Sequence, residues 1–336
     1  MLKPYIAKLM QKRNLSAEEA REAMDVIMTG QATQAQIGSY LTALRMKGET
    51  VEEIMGSAMS MRAHAAKPDI AGDGLIDTAG TGGDGAHTFN ISTAAAFVIA
   101  GAGRRVAKHG NRAASSLCGS ADVLGALGVN LTLGPAEVAR CIEKAGIGFF
   151  FAPNFHPAMK HVAGVRREIG QRTIFNILGP LSNPAGASLQ LLGVFDPALA
   201  PMMAEVLHGL GSKAAIVAHG HDGLDELSTS GLNQVSHLRD GRVTSYYLNP
   251  GDYGLKPATK EDLAGGEAGR NAEILHDVIS GKDRGPRRDV VLLNAAAALA
   301  VEDGDFGKGL ALARESIDSG AALGKLDALV SAGSGL

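Results

Sequence analysis

From Gly74 onward the chain alternates short apolar runs, at 75–76, 129–131, 148–151, 189–194 and 214–217, with glycine-rich turns and stretches of helical texture. Strand alternating with helix restricts the fold to the α/β class. The sheet is then mostly parallel, with helices on its faces and ligands at the carboxyl ends of its strands. Asp240-Gly241, between apolar runs at 235–238 and 243–247, predicts one antiparallel hairpin. The last fifty residues, with the Ala-rich stretch 294–301 and the segment 306–319, return to helix.

The first seventy residues are of another kind. Ser16 with Glu19, Thr33 with Gln36, and Thr50 with Glu53 each fit a capping box, and each heads an amphipathic segment. Val51, Ile54, Met55, Ala58 and Met59 recur at helical spacing, as do Ile37, Tyr40, Leu41 and Leu44. We expect a small helical domain closed by Lys67-Pro68. Its Met and Leu stripes read as core or subunit contact, because Met fills irregular packing gaps.

A length of 336 residues accommodates about two domains of ~150 residues. With 32 basic and 35 acidic residues, the net charge of −3 argues against a chain-wide nucleic-acid-binding surface. Cys118 and Cys141 have no metal-ligand spacing, so they read as reduced thiols of a cytoplasmic protein, without zinc or iron–sulfur. Residues 1–15 interrupt their apolar positions with Lys3, Lys8, Lys12 and Arg13, unlike a secretory signal. The longest apolar stretches, 94–103 and 292–301, are about half the ~20 residues that cross a bilayer, so no membrane association is expected.

The chemistry-bearing residues form three groups. Asp77-Thr78-Ala79-Gly80-Thr81-Gly82-Gly83-Asp84 runs from a strand into a loop, and Asn90-Ile91-Ser92-Thr93 then opens a helix. Glycines expose backbone amides, and a helix start adds unpaired N–H groups, so the arrangement resembles a phosphate cradle. A tight turn with a Ser or Thr helix cap accounts for the same residues. Lys108-His109-Gly110-Asn111-Arg112-Ala113-Ala114-Ser115-Ser116 reads as a second loop after the next strand, with charges, an amide and hydroxyls suited to anionic oxygens. Asp225-Glu226 follows the run at 214–217; such carboxylates suit Mg²⁺, or form a solvent-facing acidic pair. His219 and His221 lack the third His or Cys that zinc would want.

Arg166, Arg167 and Arg172 offer guanidinium forks for a carboxylate, and their spacing does not choose among them. His156, just before the helix-starting Pro157, reads as a packed or capping residue.

Taken with Ala121-Asp122-Val123-Leu124, His156-Pro157-Ala158-Met159 and Arg172-Thr173-Ile174-Phe175-Asn176, these motifs resemble the anthranilate phosphoribosyltransferase family over nearly the whole chain. The resemblance implies a helical domain at 1–70, completed by part of 155–180, and an α/β donor-binding domain at 71–336. It implies transfer of a 5-phosphoribosyl group from phosphoribosyl pyrophosphate to the amine of anthranilate, in tryptophan synthesis. It implies donor contacts from Gly80, Gly83, Asp84, Thr88, Asn90, Ile91, Ser92 and Thr93. The second motif would add Lys108, His109, Gly110, Asn111, Arg112, Ala113, Ala114, Ser115 and Ser116, joined by Ser120. Gly80, Asn111 and Arg166 would receive anthranilate. Two Mg²⁺ ions would be held, one by Ser92 with Glu226 and one by Asp225 with Glu226. No side chain is expected to be an obligatory acid or base, since an aryl amine is already unprotonated at neutral pH. The family is usually homodimeric through its helical domain.

Two rival classes remain at this point: a pyrimidine nucleoside phosphorylase of the same architecture, and a non-catalytic nucleic-acid-binding relative. Arg166 and the 108–116 segment argue against the first. The net charge and intact Asp225-Glu226 argue against the second.

Overall fold

The computed structural model describes residues 1–113 and 117–334. Its first helices are α1 (Lys3–Met10), α2 (Ala17–Met28), α3 (Gln34–Lys47) and α4 (Val51–Ala63). All three capping boxes form: the Ser or Thr oxygen takes the third amide of the helix, and Glu19, Gln36 or Glu53 returns the reciprocal bond. Glu53 is also fully buried. Its carboxylate accepts the Leu15 and Thr50 amides and the Lys47 ammonium, each at 2.9 Å, fastening α4 to the start of α2.

The strands are β1 (Leu75–Gly80), β2 (Arg105–Gly110), β3 (Ile147–Phe151), β4 (Leu189–Gly193), β5 (Ala214–His219), β6 (Asn233–Arg239) and β7 (Arg242–Leu248). They make one sheet ordered β3-β2-β1-β4-β5-β6-β7. It is parallel from β3 to β5, and β6 and β7 are antiparallel. Asp240 and Gly241, at φ 52° and 69°, make the hairpin turn, where two left-handed residues match the twist of the strands.

Helices α5 (Ile91–Gly101), α6 (Ser120–Ala126) and α7 (Pro135–Ala145) connect the first three strands. Between β3 and β4 lie α8 (Ala152–Phe155), a 3-10 turn (Pro157–His161), α9 (Ala163–Ile169) and α10 (Phe175–Leu178). Helix α11 (Leu199–Gly209) joins β4 to β5, and α12 (Ala268–Ile279), α13 (Pro286–Leu299), α14 (Phe306–Asp318) and α15 (Ala321–Ser334) follow the hairpin.

The sheet separates two apolar cores. Along β5, Ala214, Ile216 and Ala218 face a core that includes α5, α13, α14 and α15. Ala215 and Val217, pointing the other way as strand geometry requires, share a core with α2, α3, α4, α11 and Val162, Val165, Ile174 and Phe175. The helical bundle thus packs directly on one face of the sheet.

The expected strand at 129–131 does not form. Those residues connect α6 to α7, where Gly128 takes φ 86° and the Asn130 side chain accepts the Thr132 amide at 3.0 Å. This local turn removes the run from the sheet, and β2 pairs directly with β3.

From β1 the chain proceeds outward through β2 to β3, and from β4 outward in the opposite direction to β5. The β1/β4 boundary is therefore a topological switch point, where a crevice opens beyond the strand ends.

Candidate active site

Gly80 and Gly193 are register partners at the ends of β1 and β4. A Cβ on Gly80 would stand 2.3 Å from Asp225 Oδ2, and one on Gly193 would stand 1.6 Å from the Asp225 carbonyl oxygen. Glycine at both positions lets the loop after β5 lie across the two strand ends. Asp225 Oδ2 accepts the Gly82 amide at 2.5 Å, and Glu226 Oε1 accepts the Ser92 amide at 3.1 Å in the first turn of α5. Asp84 Oδ2 accepts the Asp225 amide at 3.4 Å. The structure thus brings together the glycine loop, the helix start and the acid pair, read separately from the sequence.

Burial, then the charges of Glu226 and Asp84, push the Asp225 carboxyl well above its usual range. Burial raises Glu226 too, and Lys108 partly offsets the shift. A cluster of half-buried carboxylates with so little compensating charge calls for a cation. Its oxygen donors fit Mg²⁺, which takes few protein ligands and completes its shell from water and phosphate. Ser92 is half-buried beside Glu226, consistent in position with the expected donor set. The His219 ring is committed elsewhere, with Nδ1 2.8 Å from the Val194 carbonyl oxygen.

Lys108 requires a correction. Lys108, His109 and Gly110 are residues of β2, not of the loop beyond it. Only 3% exposed, Lys108 directs its ammonium under the glycine loop, to Thr78 O at 2.6 Å and to Ser92 Oγ at 3.4 Å. A basic residue in a run with Gly, Asn and Arg looks solvated in sequence. β2 is buried on both faces, so this one is enclosed, and desolvation lowers its pKa while Asp77 and Glu226 oppose the shift.

The other expected donor residues divide in two. Thr88 bridges to Ala264, the Asn90 side chain bonds Asn271 and the Cys118 carbonyl, Ile91 turns its side chain into the core, and Thr93 is buried. Farther along, Asn111 accepts the Ser120 hydroxyl at 3.3 Å through its carbonyl. Asp122 organises this second loop, accepting the Ala113 and Gly119 amides at 2.9 Å and the Arg112 guanidinium at 2.8 Å. Asp122 has no place among the expected site residues, although an acid two residues into a helix after Gly119 is a capping signal. Ala114, Ser115 and Ser116 lie outside the described residues.

On the expected acceptor side, Arg166 is half-buried on α9, its guanidinium 5.4 Å from the centre of the Phe175 ring, and burial lowers its pKa. Among the described residues no carboxylate pairs with it, and Arg167 beside it is exposed. His156 is packed, with no side-chain capping bond, its ring 5.1 Å from that of His109. Both Nε2 atoms, and Asp77 Oδ2, are buried without a partner. Burial lowers the His109 pKa to about 3 and that of His156 to about 4, and raises Asp77 to about 6. Asp77, which opens the glycine motif in sequence, is fully buried within β1.

A helical bundle seated on an α/β sheet, with acids and amides meeting at its switch point, is the architecture of a glycosyl transferase. Residues 3–65 match the glycosyl transferase family helical bundle domain and residues 72–323 the glycosyl transferase family a/b domain. The anthranilate phosphoribosyltransferase of Acetivibrio thermocellus is 56% identical over 334 residues, covering 98% of this chain and 96% of its own. The crystal structure of that enzyme from Thermus thermophilus superposes with a TM-score of 0.93 at 44% identity, covering 97% of this chain and 98% of its own. The Saccharomyces cerevisiae enzyme in complex with PRPP and Mg gives 0.92 at 33% identity, covering 100% and 98%. Its complex with 4-fluoroanthranilate gives 0.90 at 31%, with the same coverage. The chain belongs to the anthranilate phosphoribosyltransferase family.

Proposed function

We propose that the cleft at the β1/β4 boundary is where this chain moves the 5-phosphoribosyl group of phosphoribosyl pyrophosphate to the amine of anthranilate, giving N-(5-phosphoribosyl)anthranilate and pyrophosphate for tryptophan biosynthesis. One observation carries the assignment of the site: Asp225 touches the glycine loop at Gly82 while Glu226 touches the start of α5 at Ser92. Oxygen donors for a divalent ion and an amide cradle for phosphate thus share one surface.

In this reading the amides of Gly83, Asp84 and Gly85, which donate to no partner among the described residues, face the donor's pyrophosphate. Thr88, Asn90, Ser92 and Thr93 line the donor side beyond them. Lys108 supports Ser92 from beneath and supplies positive charge. Asn111, Arg112, Ala113 and Ser120 close the far side of the donor. Arg166, with Gly80 and Asn111, orients the anthranilate carboxylate so that its amine faces C1 of the ribose. The amine lone pair forms the new C–N bond as the C1–O bond breaks and its electrons leave with pyrophosphate, and the resulting anilinium nitrogen then loses one proton to the departing pyrophosphate or to water. Orientation and leaving-group electrostatics suffice, with no obligatory general base. Mg²⁺, when bound, neutralises pyrophosphate charge and so improves the leaving group. We assign one ion to Ser92 and Glu226 and a second to Asp225 and Glu226.

We divide the chain into a helical domain, 1–70 with part of 155–180, and an α/β domain, 71–336, in line with the core that Val162, Val165 and Phe175 share with α2 and α3. A homodimer through the helical domain accounts for the exposure of Met10 (74%) and Met46 (81%). Two free, buried cysteines accord with a cytoplasmic protein, and among the described residues no helix is long and apolar enough to cross a membrane.

The test is fluorescence detection of phosphoribosyl-anthranilate, with and without Mg²⁺, beside a uridine phosphorolysis control. Mg²⁺-dependent product from anthranilate alone is expected. Phosphorolysis of uridine without anthranilate transfer would overturn the reading.

A further inference from the structure

Arg172 joins the acceptor-side segment to the glycine loop, and none of the roles above uses it. It follows Gly170, whose left-handed conformation (φ 61°) ends α9, so it hangs from the same stretch of chain as Arg166. Its guanidinium carbon stands 3.9 Å from the centre of the Phe195 ring, and Nη2 donates to the Gly83 carbonyl. Phe195, just beyond β4, is itself fastened to the loop. Its amide donates to Thr81 Oγ1 at 3.1 Å, and the Thr81 amide donates to the Gly193 carbonyl at 3.0 Å.

The loop is therefore held at Thr81 by the Phe195 amide, at Gly83 by the Arg172 guanidinium that stacks on the Phe195 ring, and at Gly82 by Asp225. Gly83 has φ 80°, and a Cβ there would stand 2.6 Å from Arg172 Nη2, so the approach needs glycine. Because a peptide is planar and trans, fixing the Gly83 carbonyl also fixes the opposed N–H of Asp84. A glycine-rich loop loses more conformational freedom on ordering than any other, and a contact that orders it beforehand raises affinity by removing that cost. Only a planar guanidinium stacks on a ring and donates in its own plane at once.

We infer that Arg172 is a positioning residue for the phosphoribosyl pyrophosphate donor: seated on Phe195, it sets the Gly83–Asp84 peptide so that the loop amide faces the donor before the donor arrives. The inference rests on the assignment of the glycine loop to the donor.

Calorimetric titration of phosphoribosyl pyrophosphate in Mg²⁺, with steady-state kinetics for both substrates, tests it in Arg172→Ala, Arg172→Lys, Phe195→Leu and the Arg172→Ala/Phe195→Leu double variant. Arg172→Ala and Phe195→Leu are each expected to raise the donor Kd roughly tenfold, with the anthranilate KM changing less than about twofold. The double variant should be no weaker than the weaker single one, and lysine should restore only part of the loss. In the donor-free protein, the backbone amide NMR order parameters of Gly83 and Asp84 should fall in Arg172→Ala. Unchanged donor affinity or unchanged order parameters would overturn the inference. So would additive losses or a neutral Phe195→Leu, which would make Arg172 a direct charge partner of the donor. Gly83→Val separates the two levels: if it spares donor binding, the loop assignment fails and this inference with it. If it weakens binding while Arg172→Ala does not, this inference alone fails.

Discussion

The Ser92 amide nitrogen lies 3.1 Å from Glu226 Oε1, joining the first turn of α5 to the loop after β5. The positive end of a helix favours an anion there. Lys108 approaches the same Ser92 from below, so the helix start, an acid and a buried cation form one electrostatic unit. Donor binding and metal binding are accordingly expected to respond together when any member is changed.

Asp225→Asn and Glu226→Gln keep shape and remove charge. Each is expected to lower turnover at least roughly tenfold and to shift the Mg²⁺ titration, by analogy with the loss from removing one aimed electrostatic group. The Mg²⁺-free protein should keep or raise its melting temperature, since burial and like charge already disfavour the ionised acids. Unchanged Mg²⁺ titrations in both variants would remove the metal role.

Gly83→Val should weaken donor binding far more than anthranilate binding, by strain at φ 80° and by displacing Arg172. Lys108→Met should also weaken donor binding. It should lower the melting temperature as well, because it leaves Thr78 O and Glu226 without their cation. Calorimetry and thermal unfolding together check both.

Arg166→Ala should raise the anthranilate KM and leave that of the donor nearly unchanged. A charge-assisted bond to a carboxylate contributes about 1.5–3 kcal/mol, or roughly tenfold to more than a hundredfold. Exposed Arg167→Ala is the control. A larger acceptor-specific effect at Arg167 would transfer the assignment to that residue.

His156 gives a pH dependence of definite sign. Its folded pKa of about 4 lies below the 6.5 of a free imidazole, so the unfolded chain binds the proton first as pH falls. Its contribution is present above pH 6.5 and declines by about 1.4 kcal/mol per pH unit down to about pH 4. Asp225 and Glu226, raised in the folded state, act with the opposite sign, being more favourable to folding at low pH. The difference between parent and His156→Gln cancels them. Denaturant unfolding from pH 7 to 4 should show the parent losing roughly 3 kcal/mol more than the variant, and parallel curves would contradict neutral burial of His156.

Local chemistry was the readable part of the sequence. The capping boxes at Ser16, Thr33 and Thr50 and the Asp240-Gly241 turn are decided by residues three or fewer apart, and all four form. The glycine loop and Asp225-Glu226 were visible as motifs, but their contact spans 143 residues between Gly82 and Asp225 and is created by sheet order. Lys108 was misplaced because the strand boundary falls three residues later than its composition suggested. Helix α15 lies within the last fifty residues read as helical, and it is held by packing on α5 and α7.

In the proposed site, Ser92, Asp225 and Glu226 hold the metal that accompanies the donor on the glycine loop. Crystals grown with phosphoribosyl pyrophosphate and Mn²⁺ in place of Mg²⁺ allow the ions to be located by anomalous scattering. The account predicts peaks within about 2.0–2.3 Å of oxygens of Ser92, Asp225 and Glu226, with the pyrophosphate against the amides of Gly83 and Asp84. Peaks bound only by pyrophosphate and water, or a donor seated away from residues 80–85, would contradict it.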